Sequence, residues 1–242
     1  MRDYGLEKEK RIEFIRGVIK SADADGIVFG NSGGKDSALV GILCKMACDN
    51  TVGLIMPCGS KRNYESDKSD AEIVAAQFGI AARVIDLSEV KTGLSHAIGG
   101  QVPLSDTALF NMAPRLRMVT LYAVAASENR LVAGTGNRSE GYMGYFTKWG
   151  DGAYDFNPIA DLTVTEVYEF LHHLGAPDFI ISKAPSAGLF DGQTDESEMG
   201  ITYRSIDNFL LAGTASEHDR AVIEKFHQSS AHKRNMPITF GG

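Results

Sequence analysis

Cysteine is scarce in this chain, with three residues in 242. Cys44 and Cys48 lie one helical turn apart and Cys58 stands alone, so the sequence has no CxxC pair to bind zinc or to begin a disulfide framework. We interpret all three as buried thiols in a reducing compartment. No apolar run approaches the length that crosses a bilayer, and no apolar signal segment follows the charged N-terminal residues. We therefore expect a cytoplasmic protein without a membrane partner.

Positive charge is also in short supply. The chain has 24 Lys and Arg against 31 Asp and Glu, for a formal net charge of -7 at pH 7. Proteins that bind nucleic acid over a wide surface usually carry a clustered basic excess, so we expect no nucleic-acid partner, although a local basic pocket is still allowed. The hydrophobic content of 43% is ordinary for a globular protein, and we expect residues 1–242 to form a single domain.

The order of the predicted elements indicates an α/β fold. Apolar residues at near-helical spacing predict a first helix over 6–20, and short apolar runs predict strands at 26–30, 51–56, 82–87 and 131–133. Helices are predicted from Asp36 onward, over 70–78, over 115–127 with Pro114 at the start, and after Thr163. Strands that alternate with helices are typical of a doubly wound parallel sheet flanked by helices, which binds ligands beyond the carboxyl ends of its strands.

One glycine-rich motif lies between the first predicted strand and its helix: Gly30-Asn31-Ser32-Gly33-Gly34-Lys35-Asp36-Ser37. Free backbone N–H groups and the helix dipole favour an anion at such a turn, and glycine lets the backbone approach a phosphate. A carboxylate beside a polyphosphate would repel it unless a cation lay between them, so we interpret Asp36 as a magnesium ligand. The alternative is that Asp36 and Ser37 only cap the helix.

Two common nucleotide motifs are excluded. A Walker loop needs glycine immediately before its lysine, another glycine five residues earlier and Ser or Thr after it, but here Phe29 and Asp36 occupy the outer two positions. The later run Gly134 to Ser139 begins like a dinucleotide fingerprint, but Ser139 stands where the last glycine belongs and no early βαβ unit surrounds it. We therefore reject a Walker-type NTPase and a hydride-transferring Rossmann site.

Ser32-Gly33-Gly34 followed by Asp36-Ser37 resembles the pyrophosphate-releasing loop of the N-type ATP pyrophosphatases, which have an adenine nucleotide alpha hydrolase-like fold. Within that superfamily, the segments 134–140, 144–152 and 155–159 closely resemble the NAD synthetase signature. The segments 183–189, 192–196, 200–207 and 232–234 resemble later motifs of the same family in the same order. The resemblance covers nearly the whole chain, and the absence of a glutaminase or nitrilase-like domain implies the form that uses free ammonia.

This resemblance implies an ATP-dependent ligase. ATP would adenylate the nicotinate carboxylate of deamido-NAD with release of pyrophosphate, and ammonia would then displace AMP to leave the amide of NAD. A carboxylate is a poor acyl donor, so the protein mainly has to position the reactants and neutralise phosphate charge. The family uses Mg²⁺ and works as a homodimer with the deamido-NAD site between subunits, so the same cofactor and assembly are implied here.

Residue roles follow from the same resemblance, motif by motif. Residues 30–37 would hold the phosphates of ATP, and Thr135 and Ser186 would contact ATP as well. Asp36 and Glu140 would bind magnesium. The positions implied for deamido-NAD are Arg115, Lys148, Asp155, His232 and Lys233, and those implied for catalysis are Lys35, Asp36 and Lys148.

Plainer interpretations of these residues stay open. Glu140 would be a solvated loop acid, Lys148 a surface lysine, and His232 with Lys233 a polar tail. Asp155 would be a turn residue ahead of an Asn-Pro pair, which is a common local role.

The segment 134–152 is longer than most connections, so we expect it to be functional. Its aromatic residues Tyr142 and Trp149 would stack on the nicotinate ring or simply pack. Val164 departs from the family, in which many members carry a lysine that reaches ATP. The loop position of Lys35 is often uncharged in NAD synthetases, so we hypothesise that Lys35 supplies the missing cation.

Two rival functions share these features. Another ATP pyrophosphatase, acting on a different carboxylate or a tRNA base, would have the same phosphate loop, but the acidic charge and the segment 148–155 argue against it. A nucleotide-binding regulatory module without turnover would have the same fold, but it has no need for two placed carboxylates.

Overall fold

The structure is a computed structural model that describes residues 2–59, 66–183 and 195–240. Four parallel strands form one sheet, with β1 at Gly26–Gly30, β2 at Thr51–Ile55, β3 at Ala81–Val84 and β4 at Arg130–Ala133. Their spatial order is β3-β2-β1-β4, so the chain runs outward from β1 in one direction and then returns to pair β4 on its other side. The α/β fold with a parallel sheet is thereby confirmed.

Helices surround this sheet. Twelve are found within the described residues: α1 (Tyr4–Ala22), α2 (Lys35–Ala47), α3 (Lys68–Phe78), α4 (Ser88–Gly99), α5 (Asp106–Ser127), α6 (Arg138–Met143), α7 (Val164–His173), α8 (Asp178–Ile181), α9 (Asp195–Met199), α10 (Tyr203–Ala212), α11 (Glu217–Ser229) and α12 (Ala231–Arg234). Among those residues, no helix is long and apolar enough to cross a membrane.

The two faces of the sheet bury different helices, because successive side chains of a strand point to opposite faces. Ile27 and Phe29 of β1 pack in a cluster with α1, α2, α3 and α7. Val28 lies between them in sequence and packs instead with β2 and with residues of α5 such as Ala113 and Ala125. This two-sided burial explains why the two central strands β1 and β2 appear in the sequence as short continuous apolar runs.

A third cluster lies outside the sheet and joins the C-terminal half of the chain together. It contains Met143 of α6, Val164 of α7, Tyr203 and Ile206 of α10 and Ile223 of α11. Packing in this cluster holds α6 and the start of α7 in place, with the start of α6 next to the turn that follows β1.

The structure corrects several element boundaries. Pro114 does not start the long helix, because α5 begins at Asp106 after the N-cap Ser105 and includes Pro114 in its interior. Interior proline costs a helix a hydrogen bond, but here the ring is buried and meets the backbone of the segment 144–152: a Cβ added at Gly150 would lie 2.9 Å from Pro114 Cβ. β3 ends at Val84, and neither α4 nor α6 was predicted.

The fold places two turns side by side. β1 and β4 are parallel neighbours, with Phe29 opposite Ala133, so the turns that follow them emerge at the same edge of the sheet. The chain leaves β1 toward β2 and approaches β4 from the other side, which makes this the switch point where α/β proteins bind ligands.

Candidate active site

The turn after β1 has a backbone that only glycine allows at one position. Gly33 has φ +71°, and a Cβ added there would lie 2.2 Å from the carbonyl oxygen of Asp67 at the start of α3. Gly34 is the N-cap of α2 with φ -98° and ψ 167°, and no side chain caps the helix. The alternative that Asp36 or Ser37 caps α2 is therefore not what the structure shows.

The polar side chains of this turn hold its shape. Ser32 and Ser37 have their hydroxyl oxygens 3.1 Å apart, and Ser37 also donates to the carbonyl of Gly34 at 3.0 Å. Asn31 is buried, and its side-chain amide donates to the carbonyl of Ala71 in α3 at 3.2 Å. Asn31 thus fixes the turn to α3, which leaves the backbone and Ser32 to face a ligand.

Asp36 lies in the first turn of α2 and both of its carboxylate oxygens have partners. Lys35 Nζ is 2.7 Å from Oδ2, and the side-chain amide of Asn137 donates to Oδ1 at 3.1 Å. Asn137 belongs to the turn after β4, so this bond joins the two turns at the switch point. The acid that the sequence singled out therefore faces the second motif directly.

Lys35 is buried although it carries a charge. Its ammonium lies 5.9 Å from the ring centre of Tyr168 and 5.7 Å from that of Tyr203. Burial opposes the charge, but the nearby carboxylates of Asp36 and Glu140 outweigh it and raise the pKa of Lys35 above its ordinary value. Lys35 therefore remains an ammonium ion inside the site.

Glu140 is held by the start of α6. The side chain of Asn137 accepts from the backbone N–H of Glu140 at 3.0 Å, and the Glu140 carboxylate accepts from the backbone N–H of Asn137 at 3.2 Å, which is a capping box. Burial and then the neighbouring charge of Asp36 raise the pKa of Glu140. Two carboxylates that disfavour each other's charge are a place where a cation is stabilising.

The donor chemistry of this pair fits magnesium. Asp36 and Glu140 offer hard carboxylate oxygens, which Mg²⁺ prefers. Within residues 2–59, 66–183 and 195–240, no group of three or more His, Cys, Asp or Glu side chains could hold a metal ion. Mg²⁺ is usually held by one or two carboxylates together with waters and substrate phosphates, and Asp36 and Glu140 offer two carboxylates.

A large cavity opens at these turns, with a volume of about 1120 Å³. Most of the predicted phosphate-loop residues reach it, as do Thr135 from the turn after β4 and Lys233 from α12. The predicted site residues that line the cavity are Gly30, Asn31, Ser32, Gly34, Lys35, Asp36, Ser37, Thr135, Glu140 and Lys233. The sequence motifs 30–37 and 134–140, which lie about a hundred residues apart, thus meet in one space.

Three predicted residues form a separate group at the surface beside this cavity. Arg115 donates to the carbonyl of Lys148 at 3.4 Å, and Lys148 Nζ donates to the carbonyl of His232 at 2.6 Å. Lys148 also lies 5.3 Å from the ring centre of Trp149. The contacts link α5, the segment 144–152 and α12, so this face is cationic and open to solvent.

Asp155 and Lys233 make backbone contacts. Asp155 accepts from the backbone N–H of Val132 at 2.7 Å and from the hydroxyl of Tyr122 at 3.2 Å, which ties its turn to β4 and α5. Lys233 Nζ donates to the carbonyls of Gly144 and Phe146, each at 2.7 Å.

Three further residues of the sequence analysis have clear positions. Tyr142 stacks on the ring of His227 at 4.0 Å and packs in the third cluster, whereas Trp149 is 51% exposed. Val164 is buried in the same cluster as Tyr203 and Tyr168. Ser186 lies outside the described residues.

Sequence reasoning missed two cations that line the cavity. Arg117 of α5 donates to the carbonyl of Met56 at 3.1 Å, and burial lowers its pKa. Arg117 lies two positions after Arg115 on α5, so the two side chains face different sides of the helix. Lys183 donates to the carbonyl of Gly33 at 3.2 Å and to two aspartates of α3. No local sequence pattern predicts those contacts.

Comparison with known proteins gives a consistent result. The family model described as NAD synthase matches residues 7–237. The NH(3)-dependent NAD(+) synthetase of Carboxydothermus hydrogenoformans is 46% identical over 232 residues, covering 95% of this chain and 94% of that protein.

Two solved structures extend the likeness to the whole fold. The NMN synthetase from Francisella tularensis has a TM-score of 0.94 and 36% identity, covering 100% of both chains. The NAD+ synthetase from Burkholderia pseudomallei has a TM-score of 0.80 and 30% identity, covering 98% of this chain and 92% of the other.

Proposed function

The chain belongs to the NAD synthase family, and we propose that it forms one domain that acts as an ammonia-dependent NAD synthetase. ATP adenylates the nicotinate carboxylate of deamido-NAD, pyrophosphate leaves, and ammonia displaces AMP to give NAD. The observation that carries this proposal is the contact between Asp36 and Asn137, which brings a phosphate-binding turn and a carboxylate pair into one cavity.

ATP binds in this proposal with its phosphates at the turn 30–37. Backbone N–H groups around Gly34 and the start of α2 face the anion, because no side chain caps that helix. Asp36 and Glu140 would hold Mg²⁺, and the bound ion would supply positive charge to balance the phosphates of ATP and of the leaving pyrophosphate. Thr135 and Ser186 serve as additional ATP contacts.

Lys35 adds a cation from within the protein. Its ammonium lies beside Asp36 and against Tyr168 and Tyr203, and both tyrosines share a cluster with Val164. Lys35 therefore reaches the side of α7 from which a lysine at position 164 would extend. This placement supports the hypothesis that Lys35 replaces that lysine as a phosphate contact.

The acceptor binds toward the cationic face in this proposal. Arg115, Lys148 and His232 lie together there, and Lys233 reaches the cavity beside them. A dinucleotide pyrophosphate is stabilised by such cations. Lys148 and Lys233 now donate to backbone carbonyls, which keeps them in position until a phosphate takes the place of those acceptors. Asp155 orients Tyr122 at the edge of this face.

We also infer a homodimer, which the same surface supports. Every residue of the edge strand β3 is exposed, and α4 buries none of its residues. Val119 of α5 is 58% exposed close to Arg115 and Tyr122. An uncovered edge strand is an association hazard, so a second copy that covers β3, α4 and α5 is the simplest occupant.

All three cysteines are free thiols, which suits a cytoplasmic location.

A mononucleotide acceptor is the second candidate. The solved structure with the TM-score of 0.94 is named an NMN synthetase, whereas the named NAD+ synthetase compared above scores 0.80. The adenylation and amidation steps are the same for nicotinate mononucleotide, so only the part of the site beyond the first phosphate would differ.

The test supplies the purified protein with ATP, Mg²⁺, ammonium and either deamido-NAD or nicotinate mononucleotide, and measures AMP, NAD and NMN. NAD and AMP formed in equal amounts support the first proposal. A kcat/KM for the mononucleotide that exceeds the value for deamido-NAD establishes the second candidate instead. Both candidates are contradicted if AMP forms only with another carboxylate or with a tRNA. They are also contradicted if no acceptor yields AMP.

A further inference from the structure

Lys183 sits where three acceptors converge on its ammonium. Nζ lies 3.2 Å from the carbonyl oxygen of Gly33, 2.8 Å from Asp67 Oδ1 and 2.6 Å from Asp70 Oδ2. A lysine ammonium has three donors, so this arrangement satisfies all of them. The exposed fractions of the Lys183, Asp67 and Asp70 side chains are 20%, 13% and 21%, so the contacts are largely shielded from water.

The contacts hold the phosphate turn against the start of α3. Asp67 is the N-cap of α3, yet its side chain makes no capping hydrogen bond and bonds Lys183 instead. The Asp67 carbonyl also fills the space where a side chain on Gly33 would be. Gly33 is thus bounded by α3 and fixed at its carbonyl by Lys183.

The direction of the Gly33 carbonyl matters because the peptide bond is planar and trans. The C=O of Gly33 and the N–H of Gly34 point in opposite directions across the same peptide plane. A cation bound to that carbonyl therefore turns the Gly34 N–H to the opposite side, where it now donates to Ser32 Oγ at 3.3 Å.

Without that cation, the peptide would lose its contact at the Gly33 carbonyl and keep the long bond of 3.3 Å from the Gly34 N–H to Ser32 Oγ. Both residues that flank it are glycines, which adopt left-handed and extended backbone conformations with similar ease. A flipped peptide would present a carbonyl oxygen to the incoming phosphate and remove an N–H donor. The affinity of the turn for an anion would therefore fall.

We propose that Lys183, paired with Asp67 and Asp70, is a positioning residue that locks the Gly33–Gly34 peptide in its anion-binding orientation. Lys183 acts through the backbone of the turn, whereas a phosphate-binding lysine would act through its own charge. The inference rests on the proposed use of the turn for ATP phosphates, and it does not depend on which acceptor is amidated.

The positioning role of Lys183 can be tested by calorimetric binding of inorganic pyrophosphate in the presence of Mg²⁺, because this measurement needs no acceptor. We expect Lys183→Met to raise the pyrophosphate Kd about tenfold and the KM for ATP by a similar factor, with kcat reduced less. Lys183→Arg, which keeps donors for the same acceptors, should restore the Kd to within about threefold of the starting value.

A charge-matched variant separates positioning from electrostatics. Lys183→Met removes the positive charge beside Asp67 and Asp70, so their repulsion of the anion alone would weaken binding. Lys183→Met combined with Asp70→Asn restores the original charge of the group. Positioning predicts that this double variant still binds pyrophosphate weakly, and a return to the original Kd would overturn the proposal.

The remaining outcomes are also decisive. Asp70→Asn alone should weaken pyrophosphate binding by severalfold, because it loosens Lys183; tighter binding would mean that Lys183 contacts the anion itself, which overturns the positioning role. A Lys183→Met protein with unchanged Kd and KM would overturn it as well. If the original protein binds pyrophosphate but amidates no acceptor, the proposed function fails and the positioning role of Lys183 stands. If the original protein binds neither pyrophosphate nor ATP, both proposals fail.

Discussion

The side-chain amide of Asn137 donates a hydrogen bond of 3.1 Å to Asp36, across 101 positions of sequence. The same side chain caps α6 by accepting from the backbone of Glu140 at 3.0 Å. One residue thus orients the two acids that we propose as magnesium ligands, Asp36 by direct contact and Glu140 through the helix start.

These two roles of Asn137 can be separated by a matched pair of substitutions. Asn137→Ser keeps a helix cap but lacks an amide that reaches Asp36, so we expect a melting temperature near that of the original protein and a kcat about tenfold lower. Asn137→Ala loses the cap too and should cost about 1 kcal/mol of stability in addition. Full activity of Asn137→Ser in a steady-state assay at saturating Mg²⁺ would show that the contact with Asp36 is dispensable.

Gly33 should tolerate no side chain. Its φ of +71° and the distance of 2.2 Å from an added Cβ to the Asp67 carbonyl mean that alanine must move the turn or α3. We expect Gly33→Ala to raise the KM for ATP at least about tenfold and to destabilise the fold by about 1–2 kcal/mol. Gly17→Ala is the control, since nothing lies within 4 Å of its added Cβ and it lies inside α1, where alanine is favoured. Equal behaviour of the two variants would contradict the prediction.

Lys35 should be exchangeable with a lysine on α7. Lys35→Gln is expected to raise the KM for ATP and lower kcat, together by about 10- to 100-fold, because it removes a buried cation next to Asp36. Adding Val164→Lys should recover part of that loss, whereas adding Val164→Met, which keeps the buried position apolar, should recover none. If Lys35→Gln leaves the KM and kcat for ATP unchanged, the substitution hypothesis is wrong.

An ion-pair network that joins α1 to the start of α7 predicts a pH-dependent stability. Asp161 accepts from Arg11 at 2.7 Å and from Arg2 at 2.8 Å. Burial raises the pKa of Asp161, but the bonds and charges of Arg11 and Arg2 outweigh it and hold the pKa below its ordinary value. A lowered carboxyl pKa stabilises the folded state above the unfolded pKa of about 3.9, and the stabilisation is lost as the pH falls through the lower folded value.

Asp161→Asn should therefore destabilise the protein by about 1 kcal/mol near neutral pH, a modest figure because the carboxylate is 55% exposed. The difference should be smaller at about pH 3, which lies below the unfolded pKa of about 3.9. Urea unfolding of both proteins at the two pH values measures it. Glu9→Gln, which removes an exposed carboxylate paired with Lys8, serves as the control and should change little at either pH. A difference that grows in acid would contradict the assignment.

The inferred dimer surface can be tested on α5. Val119 is 58% exposed, and Val119→Glu would place a charge where a second copy should bury an apolar side chain. We expect sedimentation to show a dimer for the original protein and a monomer for Val119→Glu. Leu6→Glu changes an equally apolar position, 52% exposed on α1, and should leave the dimer intact. A monomeric original protein would contradict the homodimer itself, and a dimeric Val119→Glu variant would place the interface elsewhere.

Some of this molecule could be predicted from sequence because the evidence for it is local. An apolar run, a glycine turn and a helical pattern are contiguous, and they were enough to predict β1, the turn 30–37 and α2. The family resemblance came from the contiguous motifs in the segment 134–159 and from the later motifs. Local patterns failed at Pro114, which penalises a helix interior in general but here lies within α5, where packing against Gly150 contributes to its burial. They also failed at α4, which buries none of its residues.

The sequence alone determined the family, with a likeness that spans residues 7–237, and it predicted the turn 30–37 for phosphate and the acids Asp36 and Glu140 for magnesium. Only the tertiary structure decided how those parts act on one another. It brought Asn137 to Asp36, buried Lys35 against two tyrosines and attached Lys183 to the Gly33 carbonyl, 150 positions away. Such contacts depend on strand order and helix packing, which bring distant residues together without leaving a local pattern in the sequence.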